Sequence, residues 1–189
     1  MENEDFFNSL AGTNKTSYEL RAQFYKMVEK EIHPRHTTIL SSGQICNHIW
    51  FIIKGFAMAY IEKEDRKIPY QFWNENQIMV PVNSFFKQLP ADGCVQLLEK
   101  STLLAISFSN IQKLIEAFPE FNQFMCSLLL NLQYSSERRV FHLTSIDPGE
   151  RYALLLKESP FIIRKAPVEL ISAYLGVSRK TLNRIRAKK

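Results

Sequence analysis

The sequence predicts an α+β protein, on three observations. Six short segments between Thr37 and Ser107 are rich in β-branched and aromatic residues and are separated by turn signals. Segments with the apolar spacing of helices flank them on both sides. The chain then closes on "LGVSRKTLNRIRAKK", which holds six basic residues, no acidic one and a regular apolar face.

The elements follow in order. Thr16 and Glu19 have capping-box spacing, and Leu20, Phe24, Met27 and Val28 then form one apolar face, so a helix is expected up to His33-Pro34. TTILS, HIWFII, FAMAYIE, KIPYQFW, VQLLE and TLLAIS are the strands, with turns at Ser42-Gly43, Lys54-Gly55, Glu64-Asp65 and Asp92-Gly93. That many short strands make a sandwich, a jelly roll or a small barrel. Ser109 is the expected N-cap of a short helix through Ala117, and Pro119 opens a longer one reaching about Leu143. In the long helix Phe121, Met125, Leu128 and Leu132 are spaced as a packing seam requires. They suit either a second subunit or the interior of one subunit. Asp147, Pro148 and Glu150 start another helix, Ser159-Pro160 stops it, FIIRK is a candidate short strand, and Pro167 opens the final pair of helices.

Composition narrows the function. The 189 residues are 46% hydrophobic and 23% charged, ordinary for a globular fold. The net charge of +5 is uneven. From Phe161 onward there are eight Lys/Arg and one acid, a local +7; the preceding chain has 16 basic and 18 acidic residues, or −2. A basic module on a near-neutral body points to a polyanion, nucleic acid before membrane. A block of solvated charge is the plainer alternative, but it has no use for the interleaved apolar residues. Three scattered cysteines, Cys46, Cys94 and Cys126, support neither a disulfide framework nor a metal cluster. The acidic N-terminus is no secretory signal, and no apolar run approaches ~18 residues. A cytoplasmic location with no membrane partner is expected.

The closing segment has the packing demands of a helix-turn-helix. From Val168 to Ile185, Ile171 and Leu175 face inward from a first helix and Ser172 is small at the crossing. Gly176 makes the turn, Val177 faces inward, Ser178 caps, and Leu182 and Ile185 face inward from a second helix. The outward face is then Arg179, Lys180, Asn183, Arg184 and Arg186, with Thr181 near its start. Arg bonds two acceptors of guanine and Asn reads adenine in the major groove of double-stranded DNA. Ser178, Lys188 and Lys189 are placed for phosphates, which position without specifying. A helical hairpin with a soluble exterior is the competing interpretation.

With these residues in view, the chain resembles the Crp/Fnr family of bacterial transcriptional regulators from about Thr37 onward. "YLGVSRKTLNRIR" and "ILSSGQICNHIWFIIKGFAMAYIEKEDRK" carry the likeness, with Gly43 and Gly55 at the glycine turns of a cyclic-nucleotide-binding β-roll. The resemblance implies an N-terminal helix and a double-stranded β-helix, jelly-roll-like, sensor domain over 1–117. It further implies a long dimerisation helix over 118–144 and a helix-turn-helix domain over 145–189. It implies a homodimer joined through Phe121, Met125, Leu128 and Leu132, reading palindromic DNA, with RNA polymerase as a further partner where such a protein activates. The family's recognition pattern Arg-Glu-x-x-x-Arg is matched by Arg179 and Arg184, but Lys180 replaces the Glu. Glu accepts from cytosine and Lys cannot, so a different operator is expected. The chain ends soon after this helix, and a following wing is expected to be absent.

The sensor half departs further from the family pattern. Cyclic-AMP-binding members place Gly-Glu and then Arg-Ser or Arg-Ala around the phosphate. Here the stretch is MVPVNSFFKQLPADGCVQ, with no Arg, with Asp92-Gly93 near the Arg-Ser slot, and with Lys87 as its one cation. An Asp beside a cyclic phosphate repels it, so tight cyclic-nucleotide binding is not expected. Val80, Val82, Phe85 and Phe86 are candidates for an apolar effector pocket, or simply core. The effector is unknown, and no cofactor, metal or catalytic group is expected. His33 and His36 flank Pro34, which breaks a helical ligand pair, and His48 alone cannot make a cupin-type metal site. His142 lies beside Arg138 and Arg139, a grouping that suits sensing of pH or phosphate, or an ordinary surface histidine.

Overall fold

Two four-stranded antiparallel sheets face one another and organise the rest of the chain. The computed structural model describes residues 2–12 and 16–187. The strands are β1 (Glu29–His33), β2 (Thr38–Leu40), β3 (His48–Lys54), β4 (Phe56–Lys63), β5 (Arg66–Asn74), β6 (Ile78–Met79), β7 (Cys94–Leu97) and β8 (Ser101–Ser107). One sheet has the order β1-β8-β3-β6 and the other β2-β7-β4-β5. The chain therefore alternates between sheets as it winds, which makes a double-stranded β-helix of jelly-roll type. Each of the six expected strands is present, as β2, β3, β4, β5, β7 and β8.

Local chemistry fixes the turns. Glu64 and Asp65 both have positive φ, 51° and 58°, so β4 and β5 form a two-residue hairpin in which Lys63 pairs with Arg66. Pro69 is tolerated in β5 because that strand is an edge and the register shifts opposite it. Gly55 sits at φ 131°, and a Cβ there would collide with the Ser101 side chain.

The first sheet is covered by α1 (Glu2–Ala11), α2 (Tyr18–Met27), α4 (Phe108–Ala117) and the start of α5 (Pro119–Ser145). Their contact is aromatic. Phe6 of α1 stacks on Phe51 of β3 at 5.4 Å and meets Phe24 of α2 edge-on at 5.3 Å. Phe7 meets Phe124 of α5 at 6.0 Å. Glu2–Ala11 thus form a helix that its acidic residues conceal: Phe6, Phe7 and Leu10 lie on one face beneath exposed acids.

Several expectations need correction. The N-cap of α2 is Ser17, not Thr16: its hydroxyl accepts from Leu20 N–H at 3.2 Å. The carboxylate that completes the cap comes from Glu120 of α5, which accepts from the Ser17 N–H and hydroxyl. Those two bonds hold the Glu120 carboxyl below the usual carboxylate range. The helix ends at Met27 rather than at His33, and Glu29–His33 pairs with Ser101–Ala105. An unpaired edge of β8 outweighs the helical spacing there. Ser107, not Ser109, caps α4 through Asn110 N–H. FIIRK is not a strand. It is part of α7 (Pro160–Lys165), with Pro160 at its first position and Ile162 buried.

The long helix differs in which face is free. Phe121, Met125 and Leu128 are buried within the subunit, with Phe124 beside them, and Leu132 packs at the edge of the same core. Both α1 and α4 pack on this part of α5. The exposed apolar residues of α5 are instead Leu130, Tyr134, Val140, Phe141 and Leu143. The candidate effector-pocket residues fold into the same molecule in a packed segment. Val80 and Phe85 are buried, and Phe85 meets Phe86 at 5.1 Å and Phe108 at 5.3 Å. A short helix, α3 (Val82–Lys87), folds this segment in, and the Ser84 hydroxyl links Cys46 N–H to Leu89 C=O. Val82 and Phe86 are partly buried against that core.

Because Phe24 is fully buried against Phe6 and Phe7 of α1, Phe24→Ala should cost about 3–5 kcal/mol of stability. Denaturant unfolding measures this; a loss below about 1 kcal/mol would show that the aromatic layer is not part of the core.

Candidate nucleic-acid interface

The last four helices begin at Asp147, whose carboxylate accepts from Gly149 N–H at 2.8 Å and Glu150 N–H at 3.3 Å. They are α6 (Pro148–Glu158), α7, α8 (Val168–Tyr174) and α9 (Arg179–Ala187). Between α8 and α9 the chain turns at Gly176, with φ 67°. Val177 N–H donates to Ser172 C=O at 3.0 Å, which closes the turn over the small Ser172 side chain. Ser178 caps α9, its hydroxyl accepting from Thr181 N–H at 3.0 Å. Ile171, Leu175 and Leu182 are buried at the crossing. This is a helix-turn-helix built from the apolar, small and glycine positions that the sequence displays.

The outward row of α9 is exposed at Arg179, Lys180, Asn183 and Arg184. Arg179 reaches back to Glu169 of α8 at 2.7 Å, with both side chains more than half exposed. Such a pair is worth at most about 1 kcal/mol, so Arg179 is easily released. Thr181 is half-buried and bonds the Ser178 hydroxyl at 2.9 Å. Arg186 is the exception on this row. Its guanidinium lies 5.8 Å from the Tyr152 ring centre and its Nε is buried, so it packs against α6 instead of facing outward. Lys188 and Lys189 lie outside the described residues.

What the sequence reading missed is the platform beneath this module. In β4, Ala57 and Ala59 point into the β-roll, while Phe56, Met58 and Tyr60 point out. With Phe72 and Leu98 they make an apolar sheet face that is covered by Tyr152, Leu155, Ile162, Ile171 and Leu175. Phe72 meets Tyr174 at 5.1 Å and Phe56 meets Phe161 at 6.0 Å, both edge-on. The second sheet is therefore buried on both faces. The signal was available in FAMAY, where large and small apolar residues alternate and no polar residue marks a solvent side.

Polar contacts frame the same junction. Lys165 Nζ donates to Asn74 Oδ1 at 3.0 Å and to Glu99 Oε2 at 3.1 Å. Arg139 of α5 donates to Tyr174 C=O at 2.8 Å and lies 3.6 Å over the Tyr174 ring. Burial pushes the Arg139 pKa down. Arg151 Nη1 donates to the carbonyls of His142, Leu143 and Ile146 and so closes the C-terminal end of α5.

Among the described residues no group of three or more His, Cys, Asp or Glu is placed to hold a metal ion. His33 is paired with Glu31 at 2.8 Å. Cys46 is buried, which pushes its thiol up to about 11. No helix among the described residues is long and apolar enough to cross a membrane.

The architecture is thus a jelly-roll module, a 27-residue connecting helix and a helix-turn-helix with an exposed cationic row. No protein-family profile matches the sequence. Over 164 residues the chain is 22% identical to the cAMP-activated global transcriptional regulator CRP of Haemophilus influenzae, covering 81% of this chain and 73% of that protein. Solved structures share the fold. FixK2 from Bradyrhizobium japonicum matches with a TM-score of 0.74 at 12% identity, over 85% of this chain and 83% of that one. The c-di-GMP-responsive global regulator CLP from Xanthomonas campestris matches at 0.69 and 15%, over 91% of each chain. A crp/fnr-family protein from Eubacterium rectale matches at 0.72 and 13%, over 92% and 83%. The chain thus shares its fold with Crp/Fnr-type structures and is similar in sequence to CRP.

The shared apolar platform predicts that sheet and helices unfold together. Phe72→Ala should accelerate amide exchange in β5 and in α8 by the same factor. Faster exchange confined to α8 would mean that the helical module is only loosely attached.

Proposed function

We propose that this chain is a transcriptional regulator of Crp/Fnr type that reads palindromic operator DNA as a homodimer. The observation that carries the proposal is the division of α9 between buried Leu182 and an exposed row of Arg179, Lys180, Asn183 and Arg184. The row supplies bidentate donors for guanine and an amide for adenine, with Lys180 where an acceptor for cytosine would otherwise stand. Arg186 is assigned to packing. Lys188, Lys189 and the N-terminal end of α9 at Ser178 are assigned to phosphate contacts. The units remain a sensor over 1–117, a connecting helix over 118–144 and a reader over 145–189, in a cytoplasmic protein that is not an enzyme.

The dimer seam moves to the exposed face of α5. Leu130, Tyr134 and Phe141 are spaced four and seven residues apart and are each more than half exposed. A parallel pairing along this stripe sets two reading helices about one duplex turn, ~34 Å, apart. In the sensor, Asp92 and Lys87 are exposed and no Arg lies in the 79–96 segment, which supports weak binding of cyclic nucleotides.

Duplexes selected from a random pool should be palindromic, and adding cyclic AMP should leave the selection unchanged. On the selected duplex, six phosphate contacts per dimer give a log–log salt slope of about −5. A flat salt response would instead favour a ligand-binding module whose helix-turn-helix is structural only. Arg184→Ala should cost about 1–3 kcal/mol and relax selectivity at one base position. Unchanged selectivity removes the groove assignment. Leu130→Glu with Tyr134→Glu should yield monomers by light scattering; a persisting dimer places the seam elsewhere.

A further inference from the structure

Between the end of α5, α6, α8 and the edge of β5 lies a cavity of about 220 Å³. Its wall carries three guanidiniums, those of Arg138, Arg139 and Arg151, together with His142 and a single acid, Glu158. Glu158 is already engaged, since it pairs with Arg138. Among the described residues Arg139 and Arg151 have no carboxylate partner. Arg139 is held by a neutral carbonyl and an aromatic ring. Arg151 uses Nη1 on the end of α5, and its Nε is buried with no hydrogen-bond partner. After burial, the nearby charge of Arg151 is a further cause of the lowered Arg139 pKa. Two like charges close together in a partly buried cleft are tolerated best when an anion lies between them.

The chemistry selects the anion. The cavity is smaller than the ~300 Å³ that begins the usual range for drug-sized ligands, so the ligand is compact. Planar guanidinium forks match phosphate and carboxylate oxygens in pairs. A phosphate group carries about −1.5 to −2 near neutral pH, which balances two unpaired guanidiniums where a single carboxylate does not.

We propose that this cleft is a binding site for a small phosphate-class dianion, inorganic phosphate or a short phosphate monoester, held by Arg139 and Arg151. The site is separate from the interior of the β-roll. Its occupant touches the connecting helix and the first helix of the helix-turn-helix at once, and so sets how firmly one is held to the other. That last consequence rests on the DNA-reading proposal; the binding does not.

The test is thermal unfolding of the full chain, without DNA, titrated with sodium phosphate and separately with glycerol 3-phosphate at constant ionic strength. The expected result is a saturable rise in Tm that sodium chloride does not reproduce and that Arg139→Gln and Arg151→Gln lose. A rise with only one of the two probes keeps the site and assigns its ligand. Because both arginines also support the fold, Ser135→Asp provides an independent check: it puts a carboxylate in the wall of the cleft. This variant should melt at or above the parent temperature and need at least tenfold more phosphate for the same rise. The proposal is overturned if neither probe gives a saturable rise, or if Ser135→Asp responds like the parent. It is also overturned if saturating duplex of any sequence abolishes the response, which would give these arginines to the DNA backbone.

Discussion

The arrangement depends on one apolar contact, the outer face of the β2-β7-β4-β5 sheet against the closing helices. Phe56, Met58, Tyr60 and Phe72 are all buried in the cluster that this contact forms. Without the helices, four large side chains on one sheet face would stand in water, at a cost on the order of 1.5–3 kcal/mol each. The helices gain in return: α7 and α8 are short and hold little core of their own. The outer face of this sheet and the closing helices thus share one hydrophobic cluster, and the position of α9 follows from the sheet beneath it.

That contact also explains the charge distribution. The inward side of α9 is spent on Leu182, and the half-buried Ile185 lies in the same cluster, so its cations point out. Lys165, Arg139 and Arg151 do different work: they are drawn into the junction by Asn74, Glu99 and the carbonyls of Tyr174 and α5. Within the local +7 that begins at Phe161, Lys165 and Arg186 pack inward, while Arg179, Lys180 and Arg184 form an exposed row that suits a polyanion.

Much of this was legible in the sequence, and the gaps have physical causes. The six strands and the helix-turn-helix were readable because periodicity, turn residues and caps agree there. Gly176 and Ser178 state the turn outright. The helix at Glu2–Ala11 was hidden because its buried face is only Phe6, Phe7 and Leu10 among acids. The strand Glu29–His33 was hidden because its pairing partner β8 lies some seventy residues away, and spacing within a segment cannot report it. The same limit applies to Phe121, Met125 and Leu128: a seam spaced for packing does not say which element packs on it, and here these side chains lie in the core of one subunit. Arg186 failed in the opposite sense, since a guanidinium can lie on a tyrosine as readily as reach a groove.

The proposed reading of DNA places the cationic row of α9 in the major groove. Protection of guanine N7 from methylation on a selected duplex tests it most directly, because N7 is reached only from that groove. Two protected patches, one helical turn apart and weakened by changing Arg184, are the predicted result. Uniform methylation with backbone protection alone would contradict the account, since it would mean that the exposed row touches phosphates and reads no base.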